Sequence, residues 1–193
     1  SPAGVLAPKS KADLAFTLHM LAWLSTSGTA AIVEFPWVLY RWWAEAKIRQ
    51  YLIDNNYVDA VIQLPADLFF GTSIATCILV LKKSKSDNKT LFIDASSEFV
   101  RGSAKNTLSP DNRKKILDAY IARQDIEHFA KLVDNSAIAD NDYNIAVSSY
   151  VEQKDTREVI DITELNTKIA TIVSRQQELR SEIDAIVAEI EGE

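Results

Sequence analysis

The sequence predicts an α/β sheet followed by a C-terminal helix of the coiled-coil type, and three observations carry that expectation. Short apolar runs alternate with stretches of helical periodicity through the first 95 residues. The segment between the second and third apolar runs is too short to hold a crossover helix, so one strand must reverse. From Ile162 onward, Ile and Leu recur at alternating intervals of three and four.

Each element follows from its local pattern. Residues 12–25 (ADLAFTLHMLAWLS) are apolar around most of the helical circumference, which predicts a helix buried against a sheet. Thr26-Ser27-Gly28 end it, and residues 29–35 (TAAIVEF) predict a strand bounded by Pro36. Residues 44–55 place Ala44, Ile48, Tyr51 and Leu52 on one helical face, and residues 57–64 (YVDAVIQL) predict a second strand. A loop at 65–73 leads to a third strand at 74–81. Lys82, Lys83, Lys85 and Lys89 mark a turn before a fourth strand at 91–94. Crossover connections make the early strands parallel, so the expected sheet is mostly parallel with one reversed strand near its edge. No strand precedes the first helix, so the sheet reads as incomplete. Ser109-Pro110-Asp111 opens a helix over 111–123. Residues 124–160 give weak signals, with a short strand expected near 143–147. The expected segments are therefore 1–95, an irregular and helical extension at 96–160, and a heptad helix at 161–193.

Composition narrows the chemistry. The 193 residues carry a net charge of −6, one cysteine and two histidines. Residues 161–193 hold eight acids and three bases, a net −5, so the remainder is almost neutral. Neither part is the basic surface of a chain that grips nucleic acid alone. Lone Cys77 favours a reducing, cytoplasmic setting without disulfides, and the donor set is too sparse for a structural zinc site. No apolar run is long enough to span a membrane, and Ser1-Pro2-Ala3-Gly4 lacks the basic start of a signal peptide. Walker, GxGxxG, GxSxG and CxxC patterns are absent.

Among single residues, the adjacent rings of Phe69 and Phe70, followed by Gly71 and Thr72, suit a loop where a planar ligand stacks beside backbone amides. Packing at the sheet end is the competing role. Asp13 opens the first helix, where a carboxylate compensates the dipole or caps amides. His19 reads as a satisfied structural histidine and His128 as a surface residue. Trp37, Trp42 and Trp43 cluster with Tyr40 and Arg41, a grouping that can stack on bases but more commonly packs locally. The heptad seam runs through Ile162, Leu165, Ile169, Ile172, Gln176, Leu179, Ile183, Ile186 and Ile190. Such a stripe calls for a partner: a second copy, another subunit's helices, or the chain's own domain.

The stretches KSKADLAFTLHMLAWLSTSGTAAIV, VLYRWWAEAKIRQYLIDNNYVDAVIQLPADLFFGTSIATCILVLKKSK and LFIDASSEF closely resemble the modification (M) subunit of type I restriction-modification systems. LPADLFFGTSIATCILVLKK is the most specific part, and DNDYNIAVSSYV extends the resemblance weakly. It implies the C-terminal half of a Rossmann-like methyltransferase sheet, S-adenosylmethionine as methyl donor, and adenine N6 in DNA as acceptor. It also implies base stacking by Phe69 or Phe70, a substrate loop including Gly71 and Thr72, and Asp13 beside the cofactor pocket. The family's glycine-rich donor loop and its catalytic Asn-Pro-Pro-aromatic motif lie upstream of the matching region, and neither occurs in these 193 residues. No catalytic residue and no metal ligand is therefore expected here, and this chain alone is not expected to bind the donor tightly or to methylate DNA. Implied partners are DNA, a specificity subunit, a second M subunit and a restriction subunit. Leu165, Ile169, Ile172, Leu179, Ile183 and Ile186 are the expected assembly residues. The family has glycine where this sequence has Trp37, Trp42 and Trp43. Other readings kept open are a methyltransferase acting on RNA or protein with the same fold, and a non-catalytic interaction module.

Overall fold

The computed structural model describes residues 1–154 and 162–192. They fall in two compact units, Ser1–Lys154 and Asp155–Glu193. The first unit is built on a five-stranded sheet. Its elements begin with α1 (Asp13–Trp23), β1 (Thr29–Glu34), α2 (Ala44–Asp54), β2 (Val58–Gln63), β3 (Cys77–Lys82) and β4 (Lys89–Asp94). A small hairpin of β5 (Val100–Arg101) and β6 (Asn106–Thr107) follows, then α3 (Pro110–Ala122), β7 (Ala130–Asp134) and α4 (Asn135–Asp140). The second unit holds α5 (Ile162–Glu191).

The large sheet has the order β1-β3-β2-β4-β7. Strands β1, β2 and β4 share one direction, because β1 and β2 both pair antiparallel with β3 while β2 pairs parallel with β4. The reversal of β3 follows from a connection that holds no helix. The expectation of a single reversed strand needs correction, because β7 pairs antiparallel with β4 and closes the opposite edge. Three of the four pairings are thus antiparallel. Strand β7 escapes the sequence pattern because it is a short edge strand interrupted by Lys131 and ended by Asp134. Its entry is fixed locally, since Asp125 Oδ1 accepts the Leu132 amide at 2.9 Å. The strand expected near 143–147 is absent. That region supplies a 3-10 turn at Val147–Ser149 and hydrogen bonds to other elements instead.

Both faces of the sheet are covered. Leu14 and Leu21 of α1, Ile48, Leu52 and Ile53 of α2, and Ile138 of α4 pack with Val61, Leu79, Leu81 and Phe92. On the other face, Ile116, Ala119 and Tyr120 of α3 meet Ala60, Ile62, Val80, Leu91 and Ile93. A register irregularity between Val58 and Ala60 sends Val58 to the first face and Ala60 to the second. Helix α3 carries a capping box in which Ser109 accepts the Asn112 amide, with Pro110 in the first turn. Helix α1 departs from expectation: only Leu14, Thr17 and Leu21 are buried, and Phe16 and Trp23 face solvent. The apolar excess of α1 therefore exceeds what one sheet face can cover.

Candidate functional site

Open α/β sheets bind ligands beyond the carboxyl ends of their parallel strands. In this sheet that end is marked by one polar row. Glu34 lies opposite Cys77, Cys77 opposite Gln63, and Gln63 opposite Asp94. Directly opposed residues share a face, so these four side chains project to the α1 side. Glu34 is buried and accepts the Thr17 hydroxyl at 2.9 Å. Burial raises its pKa above the usual carboxylate range, partly offset by Thr17, and the negative charge of Asp13 adds to the rise. Cys77 is also buried, and loss of hydration pushes its thiol up to about 12, which leaves it inert. At the far end of the row, Asp94 accepts the Ser96 amide and the Gln153 side chain.

The loop leaving β2 is the most constructed feature at this end. Leu64 donates to the Thr76 carbonyl at 2.9 Å and the Asp67 amide donates to the Ser73 carbonyl at 3.3 Å, so its two limbs zip together. The β5–β6 hairpin then clamps it. Lys105 Nζ donates to Asp67 Oδ1 at 2.6 Å and to the Thr72 carbonyl at 3.0 Å. Asn106 donates its amide to the Asp67 carbonyl and its side chain to the Ala66 carbonyl. The Lys105 hydrogen bond holds the Asp67 carboxyl below its ordinary pKa, with Arg101 contributing. Two residues take left-handed backbone: Asp67 with φ +62° and Gly71 with φ +81°. A Cβ at Gly71 would meet no atom within 4 Å, so what the position demands is its backbone angle.

This scaffold presents its rings outward. Phe70 is fully exposed and Phe69 is 41% exposed, so the pair does not seal the sheet end. Thr72 hydroxyl accepts the Ile74 amide at 3.1 Å and stays within the loop. At the loop base, Thr76 Oγ1 is buried without a hydrogen-bond partner among the described residues. Phe69, Phe70, Gly71 and Thr72 are thus gathered on one tethered turn after β2, whereas Asp13 stands with Glu34 at the end of β1. Asp13 occupies the first helical turn of α1, and Ala12 in the N-cap position provides no side-chain cap.

The connection from β1 to α2 is built differently. Trp37 stacks on Phe35 with centroids 4.5 Å apart, and Arg41 lies over its ring. Trp42 and Trp43, by contrast, are 65% and 89% exposed. Trp43 has φ 68° and ψ −126°, a conformation suited to glycine and costly for any side chain with a Cβ. The local backbone therefore keeps a glycine-type turn while the sequence supplies an indole. His19 is exposed and tilts against Trp23 at 4.5 Å, so it is no buried structural histidine; His128 is at the surface as expected.

Sequence reasoning missed the clamp. Asp67 carried a signal in the Pro-Ala-Asp turn, but Lys105, Arg101 and Asn106 lie 34 to 40 positions from their partners and carry none. Buried Arg49 was missed as well. It donates to the Tyr143 carbonyl at 2.9 Å and the Val38 carbonyl at 3.0 Å, tying two loops to α2, and burial lowers its pKa to about 10. In α5 no residue is buried. Leu165, Ile169, Ile172, Leu179, Ile183 and Ile186 are all exposed along the helix, joined by Val173 and Val187.

Comparison with known proteins agrees with this architecture. The sequence is 50% identical to the type I restriction enzyme MpnII methylase subunit of Mycoplasma pneumoniae over 97% of this chain and 35% of that protein. It is 32% identical to the MjaVII methylase subunit of Methanocaldococcus jannaschii, over 96% of this chain and 32% of that one. The chain thus spans about a third of the length of these relatives. Among solved structures, the type I methyltransferase subunit of Streptococcus thermophilus superposes with a TM-score of 0.77 at 45% identity, over 78% of this chain and 32% of that one. The EcoKI M protein shares the fold at a TM-score of 0.61 and 16% identity, over 91% of this chain and 45% of that one. Residues 1–159 match the family model for N-6 DNA methylase, which takes in the sheet, the tethered Phe loop and the polar row, and the chain belongs to that family.

Proposed function

We propose that the chain is the C-terminal part of the modification subunit of a type I restriction-modification system, an enzyme that transfers a methyl group to adenine N6 in DNA. The observation that carries this reading is the clamped loop after β2, which holds two phenylalanine rings in solvent at the carboxyl end of the sheet. Exposed rings on a fixed loop are unfavourable in water unless a flat partner covers them. Adenine N6 is inaccessible inside a duplex, so the base must be extruded and stacked. Phe70 supplies the stacking face and Phe69 flanks it. Gly71 and Thr72 shape the turn, and the Asp67–Lys105 pair keeps the rings in place before the base arrives, which limits the ordering cost of binding.

S-adenosylmethionine, the family's donor, supplies a methyl group on a cationic sulfur. The residues here fit one edge of it. Asp13 gives a carboxylate suited to a cationic ligand, and the remaining contacts belong to sequence outside these 193 residues, together with the catalytic Asn. The strand order β1-β3-β2 suits the C-terminal half of a Rossmann-like sheet. A net charge of −6 means that phosphate contacts come mainly from elsewhere, which fits work within a complex of specificity, restriction and second M subunits in the cytoplasm. Helix α5 is the assembly element of that complex.

The test uses the intact subunit. Phe70→Ala is expected to lower methyl transfer about 10- to 100-fold, as loss of one base–aromatic stack of about 1–3 kcal/mol implies, while the melting temperature stays within about 1 °C. Phe69→Ala should lower both. Unchanged methylation in both variants removes the stacking role.

A further inference from the structure

We infer that the loop after β1 and the segment after α4 form a binding cleft for guanine, separate from the phenylalanine loop. The cleft has a volume of about 110 Å³ and is lined by Tyr40, Trp42, Arg49, Asn141, Asp142 and Asn144. Its walls are fastened to each other. The Ile145 amide donates to the Leu39 carbonyl at 2.9 Å, and Arg49 donates to the Val38 carbonyl on one side and the Tyr143 carbonyl on the other. Three residues bearing a Cβ hold positive φ around it: Trp43 at 68°, Asp142 at 52° and Tyr143 at 54°. Strain of that kind persists only where the surrounding structure fixes the shape, and it gathers at ligand sites.

The lining selects the ligand by its donors and acceptors. Arg49 is 1% exposed, and among the described residues two of its five N–H groups have partners. A desolvated guanidinium with spare donors calls for acceptors lying in its plane. Asp142 is exposed, and its carboxylate has no partner among the described residues. Asn144 is already used, donating to the Ser149 hydroxyl and accepting the Ala146 amide. Trp42 and Tyr40 are 65% and 49% exposed, so their ring faces stay open. The cleft thus offers donors at its base, a carboxylate at its mouth and aromatic rings beside both. Among the DNA bases, guanine matches that set. Its O6 and N7 accept from an arginine fork, while its N1–H and N2–H donate to a carboxylate and its ring stacks on Trp42. Adenine turns its N6 donor toward Arg49, and cytosine its N4 donor. The single N–H of thymine lies between two carbonyls that the Asp142 charge repels. A volume of 110 Å³ equals nearly four waters at about 30 Å³ each, enough for the edge of a base and too little for a whole nucleotide. Arg49 is the one basic residue lining the cleft, so the base rather than its phosphate is recognised. A free guanine nucleotide and an unpaired guanine in DNA present the same edges.

Titration of the 193-residue chain with deoxyguanosine monophosphate, followed by NMR, tests the proposal without any methylation readout, so its failure leaves the enzymatic assignment untouched. The Trp42 indole N–H and the Arg49 guanidinium resonances should shift and saturate in the millimolar range. The adenine, cytosine and thymine nucleotides carry the same phosphate and should leave those resonances in place at equal concentration. The 7-deaza analogue, which lacks N7, and deoxyinosine monophosphate, which lacks the N2 amine, should each bind about 10-fold more weakly. Trp42→Gly removes the stacking face and should also weaken binding about 10-fold. Asp142→Asn keeps the side-chain size and should bind the guanine and hypoxanthine nucleotides with equal affinity. Circular dichroism checks that both variants keep the fold. Tighter binding of an oligonucleotide with one unpaired guanine than of the monophosphate assigns the cleft to DNA, and equal or weaker binding assigns it to a free nucleotide. No shift at those resonances, equal shifts with all four nucleotides, or a guanine preference that survives Asp142→Asn overturns the proposal. So does a duplex with every guanine paired that binds as well as the unpaired one.

Discussion

In the sheet body of residues 1–154, Val61, Leu79, Leu81 and Phe92 are sealed between helices and strands, whereas Ile169, Ile172 and Ile183 of α5 lie open to solvent. Both regions are comparably rich in aliphatic side chains. What separates them is the number of neighbours the chain supplies. The body brings four helices and seven strands together, while α5 has a single stripe. A helix of that kind owes its stability to whatever covers it. The contrast implies that substitutions in α5 act on association, and that substitutions in the body act on folding.

The sharpest way to break the contrast is Ile169→Asp with Ile183→Asp, which places two charges in the seam. In the complex proposed above, association of the intact subunit with a specificity subunit in size-exclusion chromatography should be lost altogether, with the thermal unfolding of the body unchanged. Assembly at normal affinity would show that the stripe is not used. Next in size is Arg49→Ala within the body. It orphans the Tyr143 and Val38 carbonyls and leaves Arg41 as the cation beside buried Glu45. The expected cost is about 2–4 kcal/mol in urea unfolding.

Trp43→Gly should act in the opposite sense. Relief of the left-handed backbone outweighs the added chain entropy and stabilises the body by about 1 kcal/mol, read as a higher urea midpoint. The smallest effect concerns the loop clamp. Asp67 has a lowered pKa in the folded state, so its contribution is complete above the unfolded carboxylate value near 4 and is lost as pH falls through the folded value. Protection factors of the amides at residues 67–73, taken against their intrinsic rates at each pH, should therefore fall in acid, and Lys105→Ala should show the low protection already at neutral pH. Global stability should barely move in either case.

Much of this body was legible in the sequence because its signals are local. Strands β1, β2 and β4 were visible as short apolar runs, α2 as a clean stripe, and α3 through Ser109 and Pro110. The reversal of β3 followed from connection length. What stayed hidden depends on partners distant in sequence. Strand β7 gains its place from an edge of β4, and the clamp at Asp67 depends on a hairpin nearly 40 residues later. The Phe loop itself was visible, but its outward presentation was not, since packing and presentation use the same residues. At Trp43 the residue type misleads, and it is the family's glycine at this position that agrees with the backbone angle.

The interleaved order β1-β3-β2 has a consequence for how the chain is made. Strands β1 and β2 never touch each other, and the space between them is the width of β3, which follows both in sequence. No native ladder among these five strands can form until Cys77–Lys82 has left the ribosome. That one strand then completes two ladders at once, and β4 can dock only onto a β2 already fixed by it. Because the contacts are non-local, loop closure precedes the gain from pairing. During that interval, apolar β1 and β2 depend on α1 and α2 for cover. Until residue 77 has emerged, β1 and β2 therefore wait without the strand that joins them, a state exposed to aggregation and proteolysis.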